Sequence, residues 1–425
     1  MLSDCQQKVV EKFKNHKGHM TIRGPAGVGK SFITKHLIDS CEDKNGIFLA
    51  TPTHQAKIVL NEMTNMGVST LHSLLKIHPQ TYEDVKTFEQ SEDPELQDCR
   101  ILFIDEASMV DDDLFNILMS SIHPHCRVIA IGDHHQLQPV KHDPGHLSPF
   151  FTDSGFLQIE MNTILRQAAD NPIIQVATGI RNGGELYHLT KEGKGVYGLP
   201  DIGTMFKLFF NKVKTADDLL DYRMLAFTNN VVNKSNEAIR DHIYKTDKPY
   251  IEGEYLVMQA PVMFKEKYKG ITVVETLFNN GQTVRVETIS PVQSFTLSMH
   301  GMNKRVIETY TLGCLDMQTD KVKPITVFAS EDDEIATDMF LQESVSKIRE
   351  LKGKAAGAAW AQFWKIKETF AETKPLGACT VHKSQGITVK GIVYYTQDKS
   401  YADTLIQRQL DYVACTRPTD FIAFR

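Results

Sequence analysis

The chain is poor in features that would place it in several protein classes. Its seven cysteines (Cys5, Cys41, Cys99, Cys126, Cys314, Cys379 and Cys415) form no Cys-x-x-Cys pair. That leaves neither a disulfide framework nor a zinc-ligand pattern, and it fits reduced thiols in a cytosol-like compartment. No apolar run approaches the roughly 18 residues of a membrane span, and Met1 leads into a polar amphipathic segment rather than a signal peptide. Positive charge is not in excess: Lys and Arg total 47 against 53 Asp and Glu, a formal net charge of -6. A nucleic-acid partner would therefore need a local basic groove, not a coated surface. Low-complexity segments and internal repeats of 20 to 50 residues are absent beyond two α/β halves. What remains, with 41% hydrophobic and 24% charged residues in a chain of 425, is a globular protein of two or three domains.

The stretch that organises the chain is Gly24, Pro25, Ala26, Gly27, Val28, Gly29, Lys30 and Ser31. It lies between an apolar run at His19 to Ile22 and a helical pattern carrying Phe32, Ile33, Leu37 and Ile38, the strand, turn and helix setting of a P-loop. Such a turn aims backbone N–H groups at a triphosphate on a helix N-terminus, where the dipole also favours negative charge. Lys30 then reaches the β/γ-phosphates of ATP, and the Ser31 hydroxyl ligates magnesium.

Ser3 or Asp4 caps a first helix carrying Val9, Val10 and Phe13, and short apolar runs at Ile47 to Ala50, Ile101 to Ile104 and Val128 to Ile131 predict a parallel sheet covered on both faces. Residues 76–99 are polar, acidic and turn-forming, an insertion. A second α/β pattern follows Arg166, with a strand at Met224 to Thr228, and resumes near Pro375 with Val381 and Ile392 to Tyr395. Between them, residues 251–330 alternate as short strands with a turn signal at Asn279-Asn-Gly281, predicting a small antiparallel barrel or sheet. Residues 334–372 read as helix, provided Gly353 and Gly357 permit it, with apolar Phe340, Val345, Ile348 and Leu351 and then Trp360, Phe363, Trp364 and Phe370.

The run Ile101 to Ile104 ends in Asp105 and Glu106. Successive strand residues point to opposite sides, so Asp105 can hold magnesium while Glu106 polarises the attacking water. A second run ends in Gly132-Asp133-His134-His135-Gln136, and a glutamine at such a tip can sense the γ-phosphate. His134 and His135 lack a carboxylate partner and read as polar contacts rather than metal ligands. Phosphoryl transfer also needs cations, and Arg166 and Arg417 are the candidates.

Taken in order, Gln6, the P-loop, Ala50 to Gln55, Ser69 to Ser73, Asp105-Glu106, Gly132 to Gln136, Leu165 to Gln167, Val381 to Thr388 and Tyr412 to Arg417 resemble the motifs of the superfamily 1 DNA helicases. Within them the chain is similar from end to end to the Dda-type helicases of T-even-type bacteriophages, in the RecD-like branch. That resemblance implies an α/β fold of two RecA-like P-loop domains, with a pin insertion and a small β-barrel plus helical tower as accessory subdomains. The first RecA-like domain spans 1–75 and 100–165, the pin 76–99, the second 166–250 and 376–425, and the accessory part 251–375. It implies ATP and Mg2+ in a cleft, Gln6 at the adenine, Gly386 near the nucleotide, and Arg166 and Arg417 reaching in from the second domain. Single-stranded DNA would run across Thr51, Pro52, Thr53, His54, Thr70 and His72 on one side and Thr228, Asn229, Thr380, His382 and Lys383 on the other. Hydroxyls, imidazoles and amides hold phosphate and sugar without reading sequence, as a motor crossing any base requires.

Phe88 either stacks on a base at the fork or packs in a miniature core of the pin. Phe264, Lys265, Lys267, Tyr268, Trp360 and Trp364 could line a DNA exit, with packing favoured for the tryptophans. The expected activity is 5′ to 3′ translocation and duplex separation by a monomer on single-stranded and forked DNA. Single-strand-binding or replication proteins are further partners, and the cytoplasm, a host's if the source is viral, is the expected location. The alternative is an ATP-gated clamp or protein-displacing translocase without strong unwinding.

Overall fold

A Ser3 capping box starts the chain: the Ser3 hydroxyl accepts the Gln6 N–H at 3.4 Å, and the Gln6 side-chain oxygen accepts the Ser3 N–H at 3.0 Å. Helix α1 (Asp4–Asn15) follows. The computed structural model describes residues 2–82, 85–90, 94, 96–139, 145–163, 170–268 and 271–425, with backbone only at 78–82, 85–90, 265–268 and 271–274. Two compact units divide it. One comprises Met1–Lys212, Leu220–Ser235 and Ala378–Arg425, and the other Val213–Leu219 and Asn236–Gly377.

The first unit contains two parallel sheets. In the first, β1 (His19–Arg23) leads to α2 (Lys30–Asp39), β2 (Ile47–Thr51) to α3 (His54–Thr64), and β3 (Val68–Thr70) to α4 (Leu71–Leu74). A hairpin, β4 (Ile77–Tyr82) and β5 (Val85–Gln90), occupies the insertion and pairs antiparallel, Pro79 opposite Phe88. Then come β6 (Ile101–Ile104), α5 (Asp112–Ser121), β7 (Arg127–Gly132) and β8 (Phe156–Glu160). The strand order is β3-β2-β6-β7-β1-β8, parallel throughout. Strand alternation divides its side chains between two cores: Leu102 and Ile104 of β6 with Val128 and Ala130 of β7 join one, and Phe103 with Ile129 and Ile131 the other. Apolar runs without polar alternation are the direct result of burial on both faces.

The second sheet begins after α6 (Pro172–Arg181), whose first residue is a proline behind an Asn171 cap, a position where the missing N–H is harmless. Strands β9 (Leu189–Lys191) and β10 (Lys194–Gly198), helix α7 (Ile202–Lys212), β11 (Tyr222–Ala226) and α8 (Asn229–Tyr244) follow.

The chain then builds the second unit from β12 (Tyr255–Met258), β13 (Val262–Tyr268), β14 (Ile271–Phe278), β15 (Thr283–Ile289), β16 (Gln293–Leu297), β17 (Arg305–Asp316) and β18 (Lys321–Phe328), helices α9 (Glu331–Glu350) and α10 (Lys354–Lys367), and β19 (Thr373–Pro375). Its main sheet is antiparallel in the order β16-β17-β15-β12-β19, with β18 on β17. Two expectations change here. The Asn279 to Gly281 turn forms, with the Gln282 N–H on Asn279 O and Gly281 at φ +76, but it joins β14 and β15, which belong to different sheets. The single helix expected over 334–372 is two, because Leu351 turns extended and Gly353 takes φ 59, ψ -135, a backbone state open in practice only to glycine. Trp360 and Trp364 pack against the cluster of Phe340, Ile348 and Phe363. Phe264 is exposed, while the side chains of Lys265, Lys267 and Tyr268 lie outside the described residues.

Returning to the first unit, β20 (Ala378–Thr380), β21 (Val389–Tyr394), α11 (Thr404–Cys415) and β22 (Pro418–Phe424) complete the second sheet in the order β20-β11-β21-β22-β10-β9. Only the β9–β10 pair in it is antiparallel.

Inside the second unit Glu254 is 1% exposed and takes a two-point ion pair from Arg240, at 2.6 Å from Nε and 3.2 Å from Nη2. Burial raises its pKa, and Arg240 holds it back. Removing one member of a buried pair strands the other charge at a cost of about 3–5 kcal/mol. Arg240→Ala is therefore expected to lower unfolding stability by about 3 kcal/mol in a denaturant titration, whereas an unchanged midpoint would show that the pair contributes nothing.

Candidate functional site

Strand β1 delivers Gly24 to the end of β7, where its N–H donates to Gly132 O at 3.1 Å. Gly27 and Gly29 sit at φ +82 and +79, left-handed values that a side chain would strain, and Gly29 opens α2 by accepting the Ile33 N–H. The Lys30 ammonium folds back onto the loop, donating to Gly24 O at 2.8 Å and Pro25 O at 3.0 Å. Ser31 is exposed in the first turn of the helix. Gln6, 1% exposed, clips α1 to the same loop by donating Nε2 to Val28 O at 3.2 Å. With its oxygen on Ser3, one amide hydrogen and one lone pair of Gln6 stay uncommitted.

At the end of β6, Asp105 Oδ1 accepts the Glu106 N–H at 2.9 Å. Burial, and then the Glu106 carboxylate, push the Asp105 pKa up to about 6, against the pull of the Glu106 amide and the Lys30 ammonium. Glu106 has φ 53, a left-handed value that costs a non-glycine residue about 1–3 kcal/mol and collects at functional sites. Its Oε2, the Ser108 hydroxyl and Gln136 Oε1 are buried with no hydrogen-bond partner among the described residues. Buried polar atoms are rarely left so. Orphaned acceptors beside a raised carboxylate and a glycine cradle suit a phosphate group with its cation and water.

Helix α11 and the loop before β21, both packed with the second sheet, reach this site. The Tyr412 hydroxyl, on α11, accepts the Ala26 N–H at 3.2 Å and donates to Asp133 Oδ2 at 2.5 Å, and burial and Asp133 keep the phenol protonated. Gln385 donates to Leu137 O at 3.2 Å. Gly386, at φ +79, lies against Thr53 and Ala56 so closely that a methyl group there would stand 3.1 Å from Thr53 Oγ1. Its place is thus a joint between the two sheets' loops. Burial, His135 and the nearby Arg23 and Arg181 lower the His134 pKa to about 4, despite Asp133. Arg417 is buried, with its guanidinium on Val413 O at 3.2 Å and Thr416 Oγ1 at 2.9 Å. Arg166 lies outside the described residues.

The expected DNA-facing residues separate into groups. Thr51 is fully buried and its hydroxyl donates to Thr53 O at 2.8 Å, which shapes the loop. Thr53 caps α3 and Thr70 caps α4, Pro52 is half-buried, and His54 is buried. Burial lowers the pKa of His72 and of His382. Thr380 Oγ1 accepts the Lys383 N–H at 3.3 Å. Asn229 is exposed at the start of α8. The Thr228 hydroxyl and N–H both donate to Asp398 Oδ2, at 2.9 and 2.8 Å, which makes Asp398 the residue that fixes this loop. The Phe88 side chain lies outside the described residues. Sequence reading placed Asp133 and Tyr412 inside motifs without assigning either a contact, and it missed Asp398. A lone Tyr-Asp pair 279 positions apart leaves no local pattern.

A family model described as "Dda helicase SH3 domain" matches residues 247–375, and one described as "AAA domain" matches residues 1–194. The chain is 39% identical over 420 residues, covering 96% of it and 94% of the relative, to the ATP-dependent DNA helicase dda of Enterobacteria phage T4. It is 35% identical over 183 residues, 43% of the chain and 24% of the relative, to the ATP-dependent RecD2 DNA helicase of Deinococcus radiodurans. Among solved structures it resembles a Pif1 helicase from Bacteroides, solved with ADP-AlF3 and ssDNA, at a TM-score of 0.51 and 21% identity over 100% of this chain and 92% of the other. At that identity the match speaks for the fold, two RecA-like domains with accessory subdomains.

Proposed function

This chain belongs to the Dda-type ATP-dependent DNA helicases, and from that premise we propose that it walks 5′ to 3′ on single-stranded DNA and separates forked duplexes as a monomer. The carrying observation is that one phosphate-binding loop is bonded both to the end of β7 in the first sheet, through Gly132, and to helix α11, which packs on the second sheet, through Tyr412. A ligand that rearranges the loop therefore acts on both at once.

In this reading Lys30 leaves the Gly24 and Pro25 carbonyls for the β/γ-phosphates, and Glu106 accepts a proton from the attacking water. Gln136 lends its free oxygen to that water, and Arg166 and Arg417 approach the γ-phosphate. Asp105 and the Ser31 hydroxyl would hold a magnesium ion, which when bound neutralises phosphate charge. Closing and reopening would shift one DNA-gripping set (Thr53, Thr70, His72) against the other (Thr380, His382, Lys383). Opening a base-pair step costs only about 1.4 kcal/mol on average, within reach of such movements. A steady-state ATPase assay with and without single-stranded DNA tests the proposal. Turnover should rise with DNA, and turnover indifferent to DNA would overturn the coupling.

The hairpin β4–β5 is the duplex-splitting pin in this proposal. Base–aromatic stacking is worth about 1–3 kcal/mol, so Phe88→Ala is expected to keep DNA-stimulated ATPase and lose strand separation. Undiminished unwinding in that variant would remove Phe88 from the fork.

A further inference from the structure

Beside the phosphate-binding loop lies a cavity of ≈ 280 Å³ whose described lining includes His134, Arg181, Leu405, Arg408, Gln409 and Tyr412. Tyr412 forms a shared wall, since its hydroxyl also accepts the Ala26 N–H of the loop. Its volume lies at the lower end of small-ligand sites, about 300–1,000 Å³, and has room for an oxyanion with its water.

Its donors are unspent. Arg408 is half-buried on α11 and makes no hydrogen bond or ion pair with any described residue. Arg181 gives Nη2 to Glu160 at 3.3 Å, yet its Nε is buried without a partner among the described residues. Two described carboxylates close to these donors are committed. Asp133 accepts the His135 N–H on one oxygen and the Tyr412 hydroxyl on the other, and Glu160 holds Arg181. Charged donors left unpaired in a part-buried cavity are costly unless an anion visits, and guanidinium forks match the oxygens of phosphate.

We propose that this cavity binds a tetrahedral oxyanion, and that its occupant is the orthophosphate cleaved from ATP on the other side of Tyr412. The inference rests on the reading of the loop as an ATP-hydrolysing site. It gives the product a resting place beyond the catalytic carboxylate, held by Arg408 and Arg181.

The test is calorimetric titration of inorganic phosphate into the nucleotide-free full chain, as wild type and as Arg408→Ala and Arg408→Lys, with thermal melts to confirm folding. Losing a hydrogen bond to a charged group weakens binding by about tenfold or more. Arg408→Ala should therefore bind phosphate about tenfold more weakly, and Arg408→Lys should recover part of that. Unchanged binding in Arg408→Ala would overturn the proposal. A thymidine dinucleotide that displaces phosphate from wild type but not from Arg408→Ala would also overturn it, by assigning the cavity to the DNA backbone. Phosphate binding that depends on Arg408 in a chain that hydrolyses no ATP would keep the oxyanion site and overturn the ATPase reading beneath it.

Discussion

Lys30→Ala is expected to abolish ATP turnover and leave the fold intact. The ammonium lowers the pKa of the Asp105 carboxylate against the effect of burial, and it sits on the loop that would receive the phosphates. Cations against a transferring phosphoryl group are worth about 10³ to 10⁵ in rate, so turnover should fall by at least about 10³-fold. Structurally the change removes two hydrogen bonds to loop carbonyls that can turn to water, about 1 kcal/mol each at most. Steady-state ATPase and circular dichroism melts check both halves. Appreciable turnover in the folded variant would contradict the role given to the loop.

Glu106→Gln should separate binding from chemistry. The substitution keeps the size of the side chain and the backbone N–H that Asp105 accepts, so ATP should still bind. The base is lost, and general-base catalysis contributes about 10²–10⁴-fold. The expected result is near-normal ATP affinity in a filter-binding assay with single-turnover hydrolysis slowed about 10²- to 10⁴-fold. Because Glu106 adopts φ 53, the side chain is aimed by a strained backbone that glutamine inherits. Hydrolysis at the wild-type rate would move the base elsewhere.

What could be read from the chain was whatever is dictated by short-range stereochemistry. Gly27 and Gly29 are required by positive φ, Ser3 and Gln6 by the unpaired amides of a helix start, and the unbroken apolar runs of β6 and β7 by cores on both faces. Apolar periodicity ran straight through Leu351 to Gly353 because both helices present one face to the same cluster, so the break lay in a single backbone angle. Thr51 is placed beneath the DNA by the family resemblance alone, and its hydrogen bond to Thr53 O is a contact that no local pattern announces. The bridge from Ala26 to Tyr412 spans 386 positions and the hold of Asp398 on Thr228 spans 170. Such pairings are decided by how the sheets meet and leave no period or spacing behind.

Strand displacement on duplexes carrying either a 5′ or a 3′ single-stranded tail, with ATP and magnesium, tests the proposed motor most directly. The expected result is separation of the 5′-tailed duplex alone, lost in Lys30→Ala. DNA-stimulated ATP turnover with neither duplex separated, or separation of the 3′-tailed duplex instead, would contradict it.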